Sequence, residues 1–437
     1  MKKVAVVLLP LFWPGLPPLG LACIKGYLGR NDIACDTLDF NNYFFNLADD
    51  ELKKEWRKSC NALLEENIVS IIDERFGGFS HVLDKLAAYD VVGFSCFKSN
   101  INTVRHAASL LKKLKNDIRI ILGGPEIARL YFKHGEEFFS GLKSFCDLVV
   151  VGEGEEPFLK FIRCGYNGGE RVEKFIEIQD ERSLPFPDYS DFDFDLYPKK
   201  SAVSLMFSRG CVRKCGFCSE TLLYNKYRVY TADNMLDQIA SYRQRGINRF
   251  IFHDSMINGS LAVFEELLEG MIYRFGTVNW EAQIAVRADM REKIFESIKK
   301  SGCYHLFVGL ESGSEKTLKT MRKGFTSDEA LAFFKKLKKY DISFGVSMIV
   351  GYPGETEDDF YDSLDFVVRN KEFIPKIEQI NPFQHYDGTH VLDGLGCVPE
   401  NEAARRVDTF IREAREAGIK ITNAFVNNLV GEGYHGN

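Results

Sequence analysis

The sequence predicts an α/β protein that consists of a doubly wound parallel sheet, a partial barrel of six βα units and a short C-terminal extension. Short apolar runs rich in β-branched residues alternate with longer segments that repeat apolar residues at helical spacing. A stretch of prolines and aspartates interrupts this alternation before it resumes. We therefore expect a first domain over residues 1–178, a linker over 179–200, the barrel over 201–385 and the extension over 386–437.

Length and composition limit the possible functions. A chain of 437 residues is expected to form two or three units, at roughly 150 residues per domain. Charged residues make up 27% of the chain and hydrophobic residues 45%, as in a globular protein. Phosphate binding needs clustered Lys and Arg, so the formal net charge of -6 gives no reason to expect a nucleic-acid partner.

The N-terminus has some features of a secretory signal peptide, because Lys2 and Lys3 precede the apolar run Val4 to Leu9. Prolines interrupt this run from Pro10 onward and no small-residue cleavage pattern follows, so a buried parallel strand explains it equally well. No other run reaches about 18 apolar residues, the length that a membrane span needs. We expect a cytoplasmic protein without a membrane span.

Apolar runs before residue 178 predict the strands of the first sheet, and amphipathic segments such as Thr103 to Lys115 and Glu155 to Arg163 predict its helices. The predicted strands are Val4 to Leu9, Ile33 to Leu38, Val91 to Ser95, Ile118 to Leu122 and Leu148 to Val151. In such a sheet, ligands bind outside the carboxyl ends of the strands. The loops that follow the strands are therefore the candidate binding region.

Four of these loops are rich in glycine or small residues. They are Pro14-Gly15-Leu16-Pro17-Pro18-Leu19-Gly20, Ser95-Cys96-Phe97, Gly123-Gly124-Pro125-Glu126 and Gly152-Glu153-Gly154-Glu155. Glycine allows close approach of the backbone to a ligand, which suits a large flat cofactor that lies across this edge. The alternative is that the glycines only form tight turns between strand and helix, and the residues alone leave both interpretations open.

The second alternation predicts six strands with helices between them, and barrels of this kind carry their chemistry at the carboxyl ends of the strands. The strands are Val203 to Ser208, Arg249 to His253, Trp280 to Val286, His305 to Leu310, Ser343 to Val350 and Ile377 to Asn381. A helix is expected from Asn401 to Ala417.

Three of the eleven cysteines, Cys211, Cys215 and Cys218, lie on one loop with the spacing C-x3-C-x2-C, directly after the first barrel strand. Three thiolates at this spacing can bind a four-iron cluster and leave one iron open for a ligand. Zinc is the rival, but a structural zinc site needs a fourth Cys or His, and the nearest downstream histidine is His253. The other cysteines are scattered, which is typical of small buried hydrophobic residues rather than of disulfides.

With the aromatic Phe217 before its last cysteine, this motif resembles the signature of the radical S-adenosylmethionine (SAM) superfamily. Further matches follow in order and cover most of residues 200–385. They are Phe252-His253-Asp254, Arg287-Ala288-Asp289, Gly302-Cys303, Val308-Gly309-Leu310-Glu311-Ser312-Gly313, Lys323-Gly324 and Val350-Gly351-Tyr352-Pro353-Gly354-Glu355-Thr356.

The resemblance implies a [4Fe-4S] cluster held by Cys211, Cys215 and Cys218. The open iron chelates SAM, one electron breaks the sulfur-carbon bond, and a 5'-deoxyadenosyl radical abstracts hydrogen from a substrate. The resemblance also implies an electron donor such as flavodoxin or ferredoxin. It implies SAM contacts for Phe217, Arg287, Glu311 and Ser312.

Alternatives remain for two of these SAM contacts. Glu311 could be a charge at a helix N-terminus, and Arg287 could form a structural salt bridge. One departure from the superfamily is that a Gly-Gly-Glu motif is not evident after the second strand, where Asp254-Ser255-Met256 stands. The resemblance therefore gives less support to the SAM contacts outside the cluster loop than to the cluster ligands.

The N-terminal half resembles the Rossmann-like cobalamin-binding domain that precedes many radical SAM domains. The matching elements are Pro17-Pro18-Leu19-Gly20-Leu21, Gly93-Phe94-Ser95, Gly123-Gly124-Pro125-Glu126, Val151-Gly152-Glu153-Gly154-Glu155 and the linker residues Leu184-Pro185-Phe186-Pro187-Asp188. The resemblance implies cobalamin contacts for Pro18, Leu19, Gly20, Ser95, Gly123, Gly124, Pro125, Glu126, Gly152 and Glu153. None of His81, His106 and His134 follows an Asp by two residues, so a histidine ligand below the cobalt is not expected.

Cobalamin beside a SAM radical site implies methylation of an unactivated carbon, or of phosphorus, in a small-molecule substrate. A rearrangement or cyclisation with the same cofactors remains open, as does an N-terminal domain that is only a docking scaffold. Methylthiotransferases fit less well. Their N-terminal domain supplies three further cluster cysteines, and no convincing set of three stands between Cys23 and Cys164 in this sequence. Substrate contacts by His385, Tyr386, Asp387 and His390 cannot be separated from simple surface polarity.

Overall fold

The computed structural model describes residues 2–58, 62–142, 144–164, 172–175, 186–224, 226–391 and 395–422. The chain divides into two compact units, the first comprising Met1–Leu205 with Leu222–Asn225 and the second Met206–Thr221 with Lys226–Asn437. The predicted boundary at residue 178 and the linker residues Leu184 and Pro185 lie outside the described residues. In the described part of the chain, no helix has the length and apolar character that a membrane span requires.

The first unit is built on a parallel sheet. Its strands are β1 (Val4–Leu8), β2 (Cys35–Asp39), β3 (Val91–Ser95), β4 (Arg119–Gly123), β5 (Leu148–Val151) and β6 (Val172–Lys174). They are ordered β2-β1-β3-β4-β5-β6, and all pairs are parallel. The predicted fold class is confirmed. Strand β6 was not predicted, because Val172 is its only apolar residue and none of its three residues is fully buried.

Helices connect the strands of the first sheet. They are α1 (Leu19–Arg30), α2 (Phe40–Leu47), α3 (Asp50–Trp56), α4 (Ala62–Phe76), α5 (Ser80–Leu86), α6 (Ile101–Leu114), α7 (Pro125–His134), α8 (Glu137–Ser140) and α9 (Glu155–Cys164). Helices α2 to α5 all lie in the long connection between β2 and β3, and they bury Phe44, Trp56, Ile68 and Leu86 in the core of this unit. The predicted helices at α6 and α9 are confirmed.

The described part of the predicted linker, residues 186–200, packs within the first unit. Tyr189 and Tyr197 are buried, and the hydroxyl of Tyr197 donates to the Asp39 carboxylate over 2.7 Å. Asp191 accepts hydrogen bonds from the backbone N–H and the hydroxyl of Thr37. The aromatic residues that stand among the aspartates therefore bury apolar surface in this unit.

A second parallel sheet contains β7 (Ala202–Leu205), β10 (Arg249–Phe252), β11 (Asn279–Ile284), β12 (Cys303–Glu311), β13 (Phe344–Val350), β14 (Lys376–Pro382) and β15 (Lys420–Ile421), in this sequential order. The short strands β8 (Ser208–Arg209) and β9 (Arg228–Val229) pair antiparallel beside it. Sequential order is that of βα units around a barrel, whose carboxyl ends carry the functional loops. The predicted strand Val203 to Ser208 is divided between β7 and β8.

Helices alternate with the strands of this second sheet. They are α10 (Glu220–Leu223), α11 (Ala232–Gln244), α12 (Leu261–Phe275), α13 (Glu292–Lys300), α14 (Glu315–Thr320), α15 (Ser327–Lys339), α16 (Glu357–Arg369) and α17 (Glu400–Glu416). Thr326 and Thr356 form capping boxes that fix the beginnings of α15 and α16. The beginning of each helix fixes the end of the loop before it, and these loops carry the predicted SAM motifs.

The C-terminal extension is part of the second unit. Helix α17 agrees with the predicted helix Asn401 to Ala417, and its Phe410 ring packs against Phe360 of α16 with a centroid distance of 6.2 Å. Strand β15 pairs parallel with β14. The extension therefore adds an edge strand to the second sheet, next to β14.

Candidate active site

The three cysteines of the predicted motif lie on one loop between β8 and α10 and are all partly exposed. The N–H of Cys218 donates to the Cys215 carbonyl over 3.2 Å, and the Thr221 hydroxyl donates to the Cys218 carbonyl over 3.1 Å. The Cys211 sulfur accepts the backbone N–H of Arg213. The loop is therefore ordered by its own backbone, while its thiols remain accessible to a ligand.

The surroundings of two of the thiols, Cys211 and Cys218, favour the protonated form. Burial raises the pKa of Cys211, and it raises the pKa of Cys218 to about 12. Metal binding to such thiols requires loss of their protons. Within the described residues, no three His, Cys, Asp or Glu side chains are grouped as ligands of one metal ion. Cysteine is the usual ligand of iron-sulfur clusters, so three accessible cysteines on one loop fit a cluster.

Arg213, which lies between the first two cysteines, joins the cysteine loop to two other loops of the barrel. Its guanidinium donates to the carbonyl of Val286 after β11 over 3.0 Å and to the carbonyl of Lys323 after α14 over 2.5 Å. The backbone N–H of Gly216 donates to the Met321 carbonyl over 2.9 Å. These bonds hold the cysteine loop at the carboxyl ends of β11 and β12.

Asp254, two residues after β10, fixes the beginning of the cysteine loop. Its buried carboxylate accepts the backbone N–H groups of Phe207 and Ser208 and the Ser208 hydroxyl. These N–H groups are thereby turned away from a continuous strand, which explains why the predicted strand Val203 to Ser208 is divided. Burial raises the pKa of Asp254 to about 6, although these hydrogen bonds lower it.

We expect the stability of the second unit to depend on pH through Asp254. A folded-state pKa of about 6 lies above the unfolded value of about 3.9, so the folded state binds more protons between these values. The contribution of Asp254 to stability is therefore fully present below about pH 4 and is lost as the pH rises through about 6, a change of about 3 kcal/mol. Urea unfolding of the wild type and Asp254→Asn at several pH values measures it. An unchanged difference between the two proteins from pH 4 to 7 would contradict this expectation.

Glu311 lies at the end of β12 with a positive φ of 69°, which is strained for a residue with a side chain. Its buried carboxylate accepts the Ser347 hydroxyl of β13 over 2.9 Å and lies 3.4 Å from the Lys323 ammonium. Helix α14 begins only at Glu315 and is capped by Ser314, so Glu311 is not a charge in the first helical turn. Strain of this kind concentrates at functional sites.

The other two polar residues predicted to contact SAM already have protein partners. The Ser312 hydroxyl is buried, 2.7 Å from the Ser363 hydroxyl, and accepts the N–H of Ser314. The Arg287 guanidinium binds both oxygens of Asp289 and donates to the carbonyls of Asn258 and Gly259. These contacts favour the structural interpretation of Arg287.

Three side chains meet at the aromatic residue of the motif. The Phe217 ring contacts Tyr352 edge to face with a centroid distance of 6.3 Å, and the Lys323 ammonium lies 5.6 Å from the Phe217 centroid. Tyr352 is fully buried, and its hydroxyl has no hydrogen-bond partner among the described residues. Burial raises the pKa of Tyr352, which keeps this hydroxyl protonated.

The residues predicted to bind cobalamin are collected at one edge of the first sheet. Pro18, Leu19 and Gly20 follow β1 at the beginning of α1, and Ser95 ends β3. Gly123 ends β4, Pro125 and Glu126 begin α7, and Gly152 and Glu153 follow β5. Because β1, β3, β4 and β5 are adjacent and parallel, their carboxyl ends lie side by side. This edge is where ligands bind in open α/β sheets.

Gly124 shows that at least one glycine of this edge is required by the fold itself. Its φ is 107°, and a Cβ atom there would lie 2.7 Å from the carbonyl oxygen of Cys96. The next charged side chain, Glu126, is buried and accepts two hydrogen bonds from Arg129. Gly20, in contrast, is exposed with open space around it. The fold itself therefore requires glycine at position 124 but not at position 20.

Sequence reasoning did not select Arg213, Asp254, Lys323, Ser347 and Tyr352 as site residues. Asp254, Lys323 and Tyr352 lie in the quoted superfamily motifs, which was the signal available for them. Arg213 and Ser347 had no such signal, because their importance depends on partners 73 and 36 residues away in sequence.

Comparison with known proteins agrees with this geometry. The radical SAM superfamily profile matches residues 205–367. The bacteriochlorophyllide d C-12(1)-methyltransferase of Chlorobaculum tepidum is 26% identical over 323 residues, which are 72% of this chain and 68% of that protein. A putative methylthiotransferase of Methanocaldococcus jannaschii, MJ0865, is 29% identical over 301 residues, which are 64% of this chain and 65% of that protein.

Two solved structures share the fold over nearly the whole chain. The cobalamin-dependent SAM radical enzyme OxsB, with aqua-cobalamin and SAM bound, has a TM-score of 0.66 at 17% identity and covers 96% of this chain. This chain spans only 56% of the OxsB chain. The radical SAM methyltransferase TsrM of Kitasatospora setae, with cobalamin and a [4Fe-4S] cluster bound, has a TM-score of 0.65 at 15% identity, over 90% of this chain and 77% of that chain. Residues 205–367 of this chain match the radical SAM superfamily, whose members use a [4Fe-4S] cluster and SAM and need a reductant.

Proposed function

We propose that this chain is a cobalamin-dependent radical SAM methyltransferase that acts on an unactivated carbon, or a phosphorus, of a small-molecule substrate. The observation that carries the proposal is the order of two folds in one chain. A parallel sheet with glycine-rich loops at its carboxyl edge precedes a barrel whose first strand is followed by the three-cysteine loop. The same fold occurs in OxsB, which is bound to aqua-cobalamin and SAM, and in TsrM, which is bound to cobalamin and a [4Fe-4S] cluster.

The proposed cluster ligands are Cys211, Cys215 and Cys218, on a loop held by Arg213 and Asp254. Glu311 and Lys323 are proposed to face the amine and the carboxylate of SAM, because they form a buried pair of opposite charge beside the Phe217 ring. Their separation of 3.4 Å is long for a charged hydrogen bond, so each retains capacity for a ligand. When bound, the cluster supplies the electron that cleaves SAM, and cobalamin supplies a methyl carrier.

The proposed cobalamin site is the carboxyl edge of the first sheet. Helices α1, α7 and α9 begin at this edge, and no side chain caps α1 or α7. Helix N-termini have N–H groups and a partial positive charge that favour phosphate and carbonyl oxygens, both of which cobalamin carries. The arrangement therefore fits a polar, phosphate-containing cofactor.

A methylthiotransferase is the competing function, since some relatives have that name. Such an enzyme needs three cluster cysteines in the N-terminal domain. Among the described cysteines of the first unit, Cys35, Cys96 and Cys146 are buried, whereas Cys23 and Cys164 are not. The described residues of this unit therefore offer two cysteines outside the core, fewer than the three that such a site needs. Methylation is therefore favoured.

Product analysis tests the proposed reaction. The purified protein is incubated without oxygen with SAM, a reductant, hydroxocobalamin and candidate substrates. We expect 5'-deoxyadenosine and S-adenosylhomocysteine in equal amounts, because methylation consumes one SAM as the methyl source and one as the radical source. Deoxyadenosine without S-adenosylhomocysteine in the presence of the true substrate would favour rearrangement or cyclisation. A protein that retains no corrin absorption bands after desalting would contradict the cobalamin part of the proposal.

A further inference from the structure

Tyr352 has a buried donor without a hydrogen-bond partner among the residues that the structure describes. Its side chain is fully buried between the rings of Phe217 and Phe383, whose centroids lie 6.3 and 5.1 Å away. Its hydroxyl has no hydrogen-bond partner among the described residues. A buried hydroxyl without a partner destabilises the folded state, and native proteins keep few of them without a functional reason.

The unpaired hydroxyl lies against the cysteine loop. A Cβ atom built on Gly216 would be 2.8 Å from the Tyr352 hydroxyl oxygen and 3.0 Å from the carbonyl oxygen of His390. Only glycine at position 216 leaves space for this approach. Because Gly216 directly follows Cys215, the hydroxyl lies against the segment that carries the second proposed cluster ligand.

Both sides of this approach are held in place. On one side, Gly216 donates to the Met321 carbonyl. On the other, the Tyr352 carbonyl accepts the N–H of Glu355 over 2.8 Å, and the Glu355 carboxylate accepts the Gly351 N–H over 3.1 Å and binds Arg406 of α17. The short distance between Tyr352 and the loop is therefore fixed by the contacts of neighbouring residues, and the tyrosine side chain itself is not needed to maintain it.

We propose that the Tyr352 hydroxyl donates a hydrogen bond to the bound cluster at the Cys215 sulfur or the adjacent sulfide, and so raises the reduction potential of the cluster. Reduction adds negative charge to the cluster, so a donor to its sulfur atoms stabilises the reduced form more than the oxidised form. Tyr352 is thus a residue that tunes the cluster for its electron donor. This inference rests on the proposed cluster ligands.

The test compares Tyr352→Phe with the wild type in anaerobically reconstituted protein. At a fixed applied potential, we expect the ratio of reduced to oxidised cluster to fall about tenfold, a shift of about 59 mV to lower potential for one electron. Electron paramagnetic resonance during a redox titration measures it. Tyr304→Phe is the matched control, because Tyr304 is near the beginning of β12, at the opposite end of the strands, and this variant should keep the wild-type potential.

A second measurement uses the protein without cluster. Removing an unpaired hydroxyl should leave the apo Tyr352→Phe variant at least as stable to heat as the apo wild type, whereas the cluster-bound variant should lose stability relative to the cluster-bound wild type. An unchanged potential in a variant with full iron content overturns the inference and leaves the proposed function intact. A clearly less stable apo variant also overturns it, since the hydroxyl would then have a protein partner. A wild type that binds no iron contradicts the proposed ligands, and the inference with them.

Discussion

Replacing any one of Cys211, Cys215 and Cys218 by alanine is expected to abolish the formation of 5'-deoxyadenosine. A cubane with three protein ligands has no spare thiolate on this loop, so the loss of one ligand exposes a second iron to solvent and releases the cluster. Without the cluster there is neither the electron nor the open iron that SAM cleavage needs. Iron and sulfide content, measured together with deoxyadenosine after anaerobic incubation with SAM and a reductant, checks the result.

The matched control is Cys397→Ala, because Cys397 is an exposed cysteine of the same unit that lies outside the motif. This variant should keep the iron content and the deoxyadenosine yield of the wild type. Cobalamin retention in the three loop variants should remain close to wild type, because its proposed site is built on the other sheet. A loop variant with full iron content would contradict the ligand assignment. Simultaneous loss of cobalamin would show that the two sites depend on each other.

Arg406→Met is expected to lower the free energy of unfolding of the second unit by about 3–5 kcal/mol, because it leaves the buried Glu355 carboxylate without its cation. The Arg406 guanidinium binds Glu355 over 2.9 Å and also contacts Glu357 and Glu402. Burial already raises the pKa of Glu355 in the presence of Arg406. Denaturant unfolding of the cluster-free protein measures the loss.

Two further variants show whether the effect comes from the buried charge. Arg405→Met is the control, since Arg405 is the neighbouring residue, is half exposed and should be replaceable with little change. The double variant Glu355→Gln/Arg406→Met should recover much of the stability, because the uncompensated charge is removed. If Arg405→Met and Arg406→Met destabilise the protein equally, the buried pair is not the cause.

Much of the fold could be read from the sequence because buried parallel strands have a strong local signal. The runs Val91 to Ser95 and Leu148 to Val151 are apolar except for Ser95, and they agree with β3 and β5 residue for residue. Strands β6 and β15 have no such signal, because they are edge strands of two or three partly exposed residues. Their formation depends on the neighbouring strands, which lie far away in sequence.

The three proposed cluster ligands are also close together in the sequence. Cys211, Cys215 and Cys218 occur within eight residues, so their spacing alone indicated a shared cluster. The residues that hold the cysteine loop in place have partners that are far away in the sequence. Arg213 depends on carbonyls of Val286 and Lys323, and Asp254 depends on N–H groups about 46 residues earlier. No window of sequence contains both partners of such a contact.

The sequence by itself therefore indicated the α/β class through hydrophobic periodicity, the three-cysteine loop through close spacing, and the superfamily through the resemblance of its motifs. Only the tertiary structure decided the environment of each polar side chain. It pairs Glu311 with Lys323 and Arg287 with Asp289, and it gives the Tyr352 hydroxyl no hydrogen-bond partner within the described part of the chain. The physical reason is that burial, charge pairing and hydrogen bonding depend on contacts between distant segments, which only the folded chain brings together.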